Sequence, residues 1–267
     1  MNDPRTAAAV DELLGARHRR ERLAALSEGA APRDQDEAYR IQAASLPGIL
    51  EQGGGGRAVG HKIGCTNVTA QQQLGLDAPF RGRLLEPTVY DSGARVPADL
   101  FFMRQMEVEF AFRIARDLPA EGAPFERADL EAVTGAVLPG LEIVDSRYRD
   151  WTTIGALALI ADNAANGGWV GGEEIPVADW TALDLAAHET ALVINGEVRD
   201  VGRGGNVLGH PFNVLVWLAD RLARDGLSLR AGDIVTTGTT TLVLPAERGD
   251  RVIGDFGALG RVEVVFE

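Results

Sequence analysis

Residues 106–112 alternate without a break: Met106, Val108, Phe110 and Phe112 fall on one face at period two, which predicts a buried strand over 106–116. The same alternation places Glu107 and Glu109 together on the opposite face. A helical period governs the N-terminal part instead. Val10, Leu13, Leu14, Leu23 and Leu26 predict a first helix over 5–28. Asp34 with Glu37 three residues on reads as a capping-box-like start to a second helix, which Pro47 should bend or interrupt. The four glycines 53–56 then mark a boundary between a helical N-terminal region, 1–56, and a β-rich region, 57–267.

Beyond that break the pattern is mostly of strands. "RAVGHKIG" reads as a strand, and "NVTAQQQLG" as a short helix capped by Asn67 and closed by Gly75. A short helix near 126–134 precedes the apolar run "AVLPGLEIVDSRY", in which Pro139 and Gly140 allow a bend. Residues 151–166 look helical, and "ETALVINGEVRD" carries an Asn-Gly hairpin signal. "GHPFNVLVWLADRLARDG" is an amphipathic helix ending at Gly226, and the C-terminal third is rich in strands. Without regular βαβ alternation, an α+β fold with a mixed, largely β core is expected.

Composition sharpens this picture at two points. The net charge of −13 argues against non-specific nucleic-acid binding, and no run is long and apolar enough to span a membrane. A cytoplasmic protein is the resulting expectation. Of the 26 basic residues, every one except Lys62 is arginine. A lone lysine in the apolar segment "AVGHKIGCT" suggests a position where a compact ammonium of adjustable pKa is needed. Cys65, the single cysteine, excludes an internal disulfide and reads as a small buried thiol.

Two carboxylates on neighbouring positions of one strand face raise one another's pKa unless a cation lies between them. A divalent cation held by oxygen resolves the conflict, with water and substrate completing its coordination. Glu142, flanked by Leu141, Ile143 and Val144, is hard to place at a surface and is a third acid for the same point. Asp145, before Ser146, Arg147 and Tyr148, looks instead like the start of a hydrogen-bonded turn. His61 would point away from Lys62 across the strand, and His188 and His210 read as structural.

The segments "KIGCTNVTAQQQLGL", "EVEFAF", "LPGLEIVDSRYRDW", "ADNAANGG", "GNVLGHPFNVLVWLADRLARDGLSLRAGDIVTTGTTT" and "GDRVIGDFGALGRVEVVF" occur in this order from about residue 37 to the C-terminus. Together they resemble the 2-keto-4-pentenoate hydratase / 4-oxalocrotonate decarboxylase family, within the wider fumarylacetoacetate hydrolase superfamily. That resemblance implies a core of mixed, rolled β-sheets with a helical N-terminal part. It implies Mg²⁺ or Mn²⁺ held by Glu107, Glu109 and Glu142, and Lys62 as the catalytic lysine. It also implies a small 2-oxo acid substrate, a homo-oligomer and association with a partner enzyme of the same pathway. Asp162 and Asn163 of "ADNAANGG", Thr239 of "TTGTTT" and Arg81 are candidate substrate contacts. One departure stands out: many relatives carry Pro-Asp-Phe/Tyr-Gly, whereas this chain has Pro79-Phe80-Arg81-Gly82, with no acid there. Arg81 and Arg83 put positive charge nearby and hint at a dicarboxylic substrate.

The expected activity is hydration of 2-hydroxydienoate or 2-keto-4-pentenoate-type substrates in aromatic catabolism. The alternatives are decarboxylation of 2-oxo-3-hexenedioate, C–C hydrolysis of an acylpyruvate, or a non-catalytic 2-oxo acid binding or accessory subunit. Proton shuttling by Lys62 would need a pKa depressed by burial or by the nearby cation.

Overall fold

A strand that fully buries its apolar face and partly buries its polar one organises the molecule. The computed structural model describes residues 3–180 and 182–267. From the N-terminus its elements are α1 (Pro4–Arg19), α2 (Gln35–Gln52), β1 (Ala58–Gly64), α3 (Val68–Leu74), β2 (Phe80–Leu85), β3 (Val89–Asp91) and β4 (Ala94–Val96). Then come β5 (Gln105–Ile114), α4 (Arg127–Val133), β6 (Thr134–Val144), α5 (Ala156–Ala161), β7 (Asn166–Gly171), β8 (Ile175–Pro176) and α6 (Val177–Trp180). The chain closes with β9 (Glu189–Ile194), β10 (Glu197–Arg203), α7 (Pro211–Arg224), β11 (Ile234–Thr236), β12 (Leu244–Pro245), β13 (Arg251–Asp255) and β14 (Arg261–Phe266).

The larger sheet runs β2-β1-β11-β5-β6-β7-β3, with β12 added to β5 and β8 to β6. It is mixed: β1 is parallel to β11, while β11, β5, β6 and β7 are successively antiparallel. A second sheet runs β10-β9-β13-β14-β4. The apolar face of β5 (Met106, Val108, Phe110 and Phe112, all 0% exposed) packs with Val252, Val262, Val264 and Phe266 of that sheet and with Phe212, Leu215 and Leu218 of α7. Each such large side chain contributes about 1.5–3 kcal/mol on leaving water. This α+β arrangement of mixed sheets agrees with the expectation from the pattern.

The N-terminal helices rest on the opposite side. Ala9, Leu13, Tyr39 and Ile41 share one apolar cluster with Phe80, Val144, Leu159 and Ile160. Gln42 of α2 donates to the carbonyls of Arg81 (2.9 Å) and Ile160 (2.8 Å). Residues before the four glycines therefore pack on the β-rich part through an apolar cluster separate from the one that β5 builds with α7.

Local expectations fared unevenly. The hairpin forms as read, with Asn195 and Gly196 at φ 53° and 82° between β9 and β10. The first helix ends at Arg19, well short of 28. There the chain is drawn off into a bridge with the segment after β6, Leu23 N–H donating to the Arg147 carbonyl at 2.7 Å. Pro47 lies inside an uninterrupted α2. Pro139 and Gly140 produce no break either: β6 runs through them, paired with Phe110 and Glu109. Only Ala156–Ala161 of the predicted 151–166 helix is α-helical. Asn163, Ala164 and Ala165 turn left-handed (φ 51°, 56° and 55°), and Asn166 joins the sheet opposite Val144. No helix among the described residues is long and apolar enough to cross a membrane.

Candidate metal centre and pocket

Strand pairing assembles the acids. Glu107 of β5 lies directly opposite Glu142 of β6, and Glu109 opposite Gly140. All three side chains stand on the sheet face that β5 turns away from its apolar core. Carboxylate oxygens of Glu107, Glu109 and Glu142 lie within 4.8 Å of one another. Gly140 is required beneath them: a Cβ there would stand 2.6 Å from the Trp169 indole Nε1. Trp169, opposite Glu142 on β7, thereby fills the space under the acids.

Burial makes this cluster electrostatically costly. Glu109 and Glu142 are both 0% exposed. Both carboxylate oxygens of Glu109, and Oε2 of Glu142, are buried with no hydrogen-bond partner. Burial pushes the Glu107 carboxyl up to about 7, against the pull of Lys62 and aided by repulsion from Glu142. Glu109 is driven well above the carboxylate range, first by burial and then by Glu142 and Glu107. Buried anionic oxygens without donors suit a hard divalent cation, which prefers oxygen ligands. The donor set present therefore fits such an ion.

Lys62 completes the cluster. Its partner across β2 is Gly82, which leaves the long side chain room to extend over the sheet. Lys62 Nζ reaches Glu142 Oε1 at 3.1 Å. The same oxygen accepts from Asn166 Nδ2 at 3.0 Å. Burial alone would favour the neutral amine, yet Glu142, Glu107 and Glu109 outweigh it and hold the ammonium above its ordinary value. Three carboxylates surround the one amine, and a cation held by them would offset their pull.

Lys62 and Glu107 of the cluster line a cavity of about 460 Å³. Its inner end is lined by the buried Lys62 and Thr66 and the half-buried Glu107, and its mouth by the exposed Gln73 and Thr152. Thr239 lines it too, beside Gly238, whose φ of 89° brings the backbone so close to Thr66 that a Cβ would lie 2.0 Å from its hydroxyl. Cys65 also borders it, and burial pushes its thiol up to about 11, which disfavours the thiolate.

Three of the proposed substrate contacts lie elsewhere. Arg81 pairs with Ile63 across the β1–β2 ladder, on the face opposite Lys62. Its guanidinium stacks on the Tyr39 ring and bonds Asp225 at 2.7 Å. Arg83, on that face as well, bonds His61 Nε2 at 2.9 Å, so neither arginine lines the cavity. Asp162 is sealed in an ion pair with Arg147 (2.7 Å) and approached by Arg17 (3.4 Å). Asn163 braces β2, its Oδ1 accepting from Arg83 N and its Nδ2 donating to Arg83 O. The short polar side chains of "ADNAANGG" thus hold the left-handed turn, and Ala164, Ala165 and Asn166 meet the site. Gln105, two residues before Glu107 on the same face, also lines the cavity. Period two signals Gln105 in retrospect; nothing in the sequence distinguished Asn166 from Asn163.

Comparison with known proteins agrees with this geometry. The model of the fumarylacetoacetate (FAA) hydrolase C-terminal family matches residues 73–265. The chain is 36% identical over 245 residues to 2-keto-4-pentenoate hydratase 1 of Dechloromonas aromatica (strain RCB), covering 91% of this chain and 90% of that one. It is 31% identical over 273 residues to 2-oxo-hept-4-ene-1,7-dioate hydratase of Escherichia coli, covering both chains completely. Among solved structures, 4-oxalocrotonate decarboxylase from Pseudomonas putida G7, complexed with magnesium and adipate, superposes with a TM-score of 0.91 at 25% identity, covering 100% and 99% of the two chains. With its mixed-sheet fold, its acid triad and these similarities, the chain belongs to the fumarylacetoacetate hydrolase family.

Proposed function

We propose that this protein is a divalent-metal-dependent hydro-lyase that hydrates 2-hydroxydienoates of the 2-keto-4-pentenoate type. The observation that carries the reading is the acid triad, with its partnerless buried oxygens, meeting Lys62 at the closed end of the cavity. Relatives bearing hydratase names at 36% and 34% identity support the reaction class. Magnesium, calcium and manganese complexes of structural neighbours support a divalent ion, and Mg²⁺ or Mn²⁺ is our choice.

Glu107, Glu109 and Glu142 would hold the cation. Bound there, it supplies Lewis acidity towards the carboxylate and 2-oxygen of the substrate. Hydration needs the 2-hydroxyl proton of the dienol removed and a proton delivered to C5, then water addition at C4 with a proton placed at C3. With a cation at the triad offsetting the three carboxylates, burial would loosen the proton on Lys62 Nζ, which would then hold developing negative charge and hand a proton to the carbon chain. Among the described cavity-lining residues the ionisable groups are Lys62, Cys65 and Glu107. Phe80 stands where many relatives carry an acid, and its ring lies 2.9 Å from where a Cβ on Gly64 would be. Proton transfer in this chain therefore falls to Lys62, with solvent entering past Gln73 and Thr152.

Assay of the purified protein with 2-hydroxypenta-2,4-dienoate and Mg²⁺ or Mn²⁺ tests this. Formation of 4-hydroxy-2-oxopentanoate, abolished by chelation and restored by metal, is the expected result. Turnover of 2-oxo-3-hexenedioate or an acylpyruvate with none of the dienoate would replace hydration by decarboxylation or C–C hydrolysis. Metal binding without turnover of any would favour a binding or accessory protein.

A further inference from the structure

Beyond the acids the cavity changes character. Its walls are the buried Phe80, Val144 and Leu159 and the half-buried Leu74, Trp151 and Val243. Neutral polar groups, such as Thr66 and Gln73, complete the lining. Among the described residues Lys62 is its one cation, and Glu142 already engages it. The arginines that suggested a second carboxylate lie behind the sheet, bonded to Asp225 and His61. A carboxylate midway along this cavity would lose hydration and meet no donor of opposite charge, a substantial penalty.

Size points the same way. At about 460 Å³ the cavity lies within the range that accommodates ligands of drug size, and a five-carbon acid leaves much of it unfilled. We propose that the outer cavity is an apolar tail subsite, and that the substrate is a 2-hydroxydienoate or 2-oxo acid extended beyond five carbons by an uncharged alkyl or aryl group. Leu74, at the end of α3, and Trp151 line this subsite and set its preference. This rests on the reading that the acid triad and its cation anchor the 2-oxo acid head.

Calorimetric titration of the Mg²⁺-loaded protein with unreactive saturated acids separates the two claims. The series is pyruvate, 2-oxopentanoate, 2-oxoheptanoate and 2-oxoheptanedioate. Pyruvate should bind only when metal is present; if it does not, the head reading falls and the tail subsite falls with it. Affinity should rise about fourfold per added methylene along the monocarboxylates. The dicarboxylate should bind roughly tenfold or more weakly than 2-oxoheptanoate. In Leu74→Arg, a change at a half-buried position, that order should invert. With pyruvate bound, a flat series, or a dicarboxylate that matches or exceeds 2-oxoheptanoate, would overturn the tail subsite alone.

Discussion

Lys62 and Glu142 meet at 3.1 Å with side chains 5% and 0% exposed, so the single lysine of the chain is committed to the one triad acid that also accepts from Asn166. The proposed function gives Lys62 a proton-transfer role and Glu142 a cation-holding role. Lys62→Arg separates them. A guanidinium is larger and planar, and its charge does not titrate. Turnover should fall roughly 10²- to 10⁴-fold, while divalent-metal affinity by calorimetry stays within a few-fold of the parent. An active Lys62→Arg protein would remove Lys62 from the mechanism.

The three acids should answer individually. Glu107→Gln, Glu109→Gln and Glu142→Gln should each weaken metal binding by at least roughly tenfold. Glu109→Gln should do more. It removes a fully buried carboxyl that has no donor, so in chelator its melting temperature should exceed the parent's at the high pH where Glu109 ionises, and added metal should no longer raise it. Unchanged metal titration in all three variants would refute the assignment.

Acidity should compete with the metal. Burial lifts Glu107 to about 7 and Glu109 well above its usual range. Their folded pKa values lie above the unfolded ones, so the stability they confer in the metal-free protein belongs to the protonated forms. It is fully present below the unfolded carboxylate pKa and is lost as pH rises through about 7. Melting in chelator should therefore fall between pH 5 and 8 through this site. Stabilisation by added metal should grow over the same interval, with up to about a tenfold gain in affinity per pH unit for each proton displaced. A metal affinity independent of pH below 7 would contradict this.

Asp162 gives a structural counterpart. It lies between Arg147 and Arg17, and its Oδ2 also accepts the backbone N–H of Arg147 at 3.0 Å. Asp162→Ala would leave the fully buried Arg147 with Asp145 as its remaining carboxylate. Breaking such a pair costs about 3–5 kcal/mol, to be read by urea unfolding. Ala164 and Ala165, which the following turn presents to the cavity, should shift, so turnover should drop even where the variant folds. A loss below about 1 kcal/mol, the scale of an exposed pair, would show that Asp162 is not the keystone of this turn.

Residues whose role follows from neighbours in the chain were legible in the sequence. Alternation along β5 placed Glu107 and Glu109 on one face, because side-chain direction in a strand depends only on parity. Asn195-Gly196 specified its hairpin through backbone conformations that few other residues adopt. An acid between apolar neighbours marked Glu142, and arginine bias elsewhere marked Lys62. Tertiary structure decided whatever depends on distant partners. Register, set by pairing over the whole of β5 and β6, brought Glu107 opposite Glu142. Parity kept Arg81 and Arg83 on one face of β2, but only the β1–β2 register set that face opposite Lys62 and away from the cavity. In "ADNAANGG" three left-handed residues reversed which side chains meet the site, committing Asp162 and Asn163 to the scaffold and delivering Asn166 to Glu142. No local propensity foretells such a turn, because residues with side chains adopt it only where surrounding contacts over-determine it.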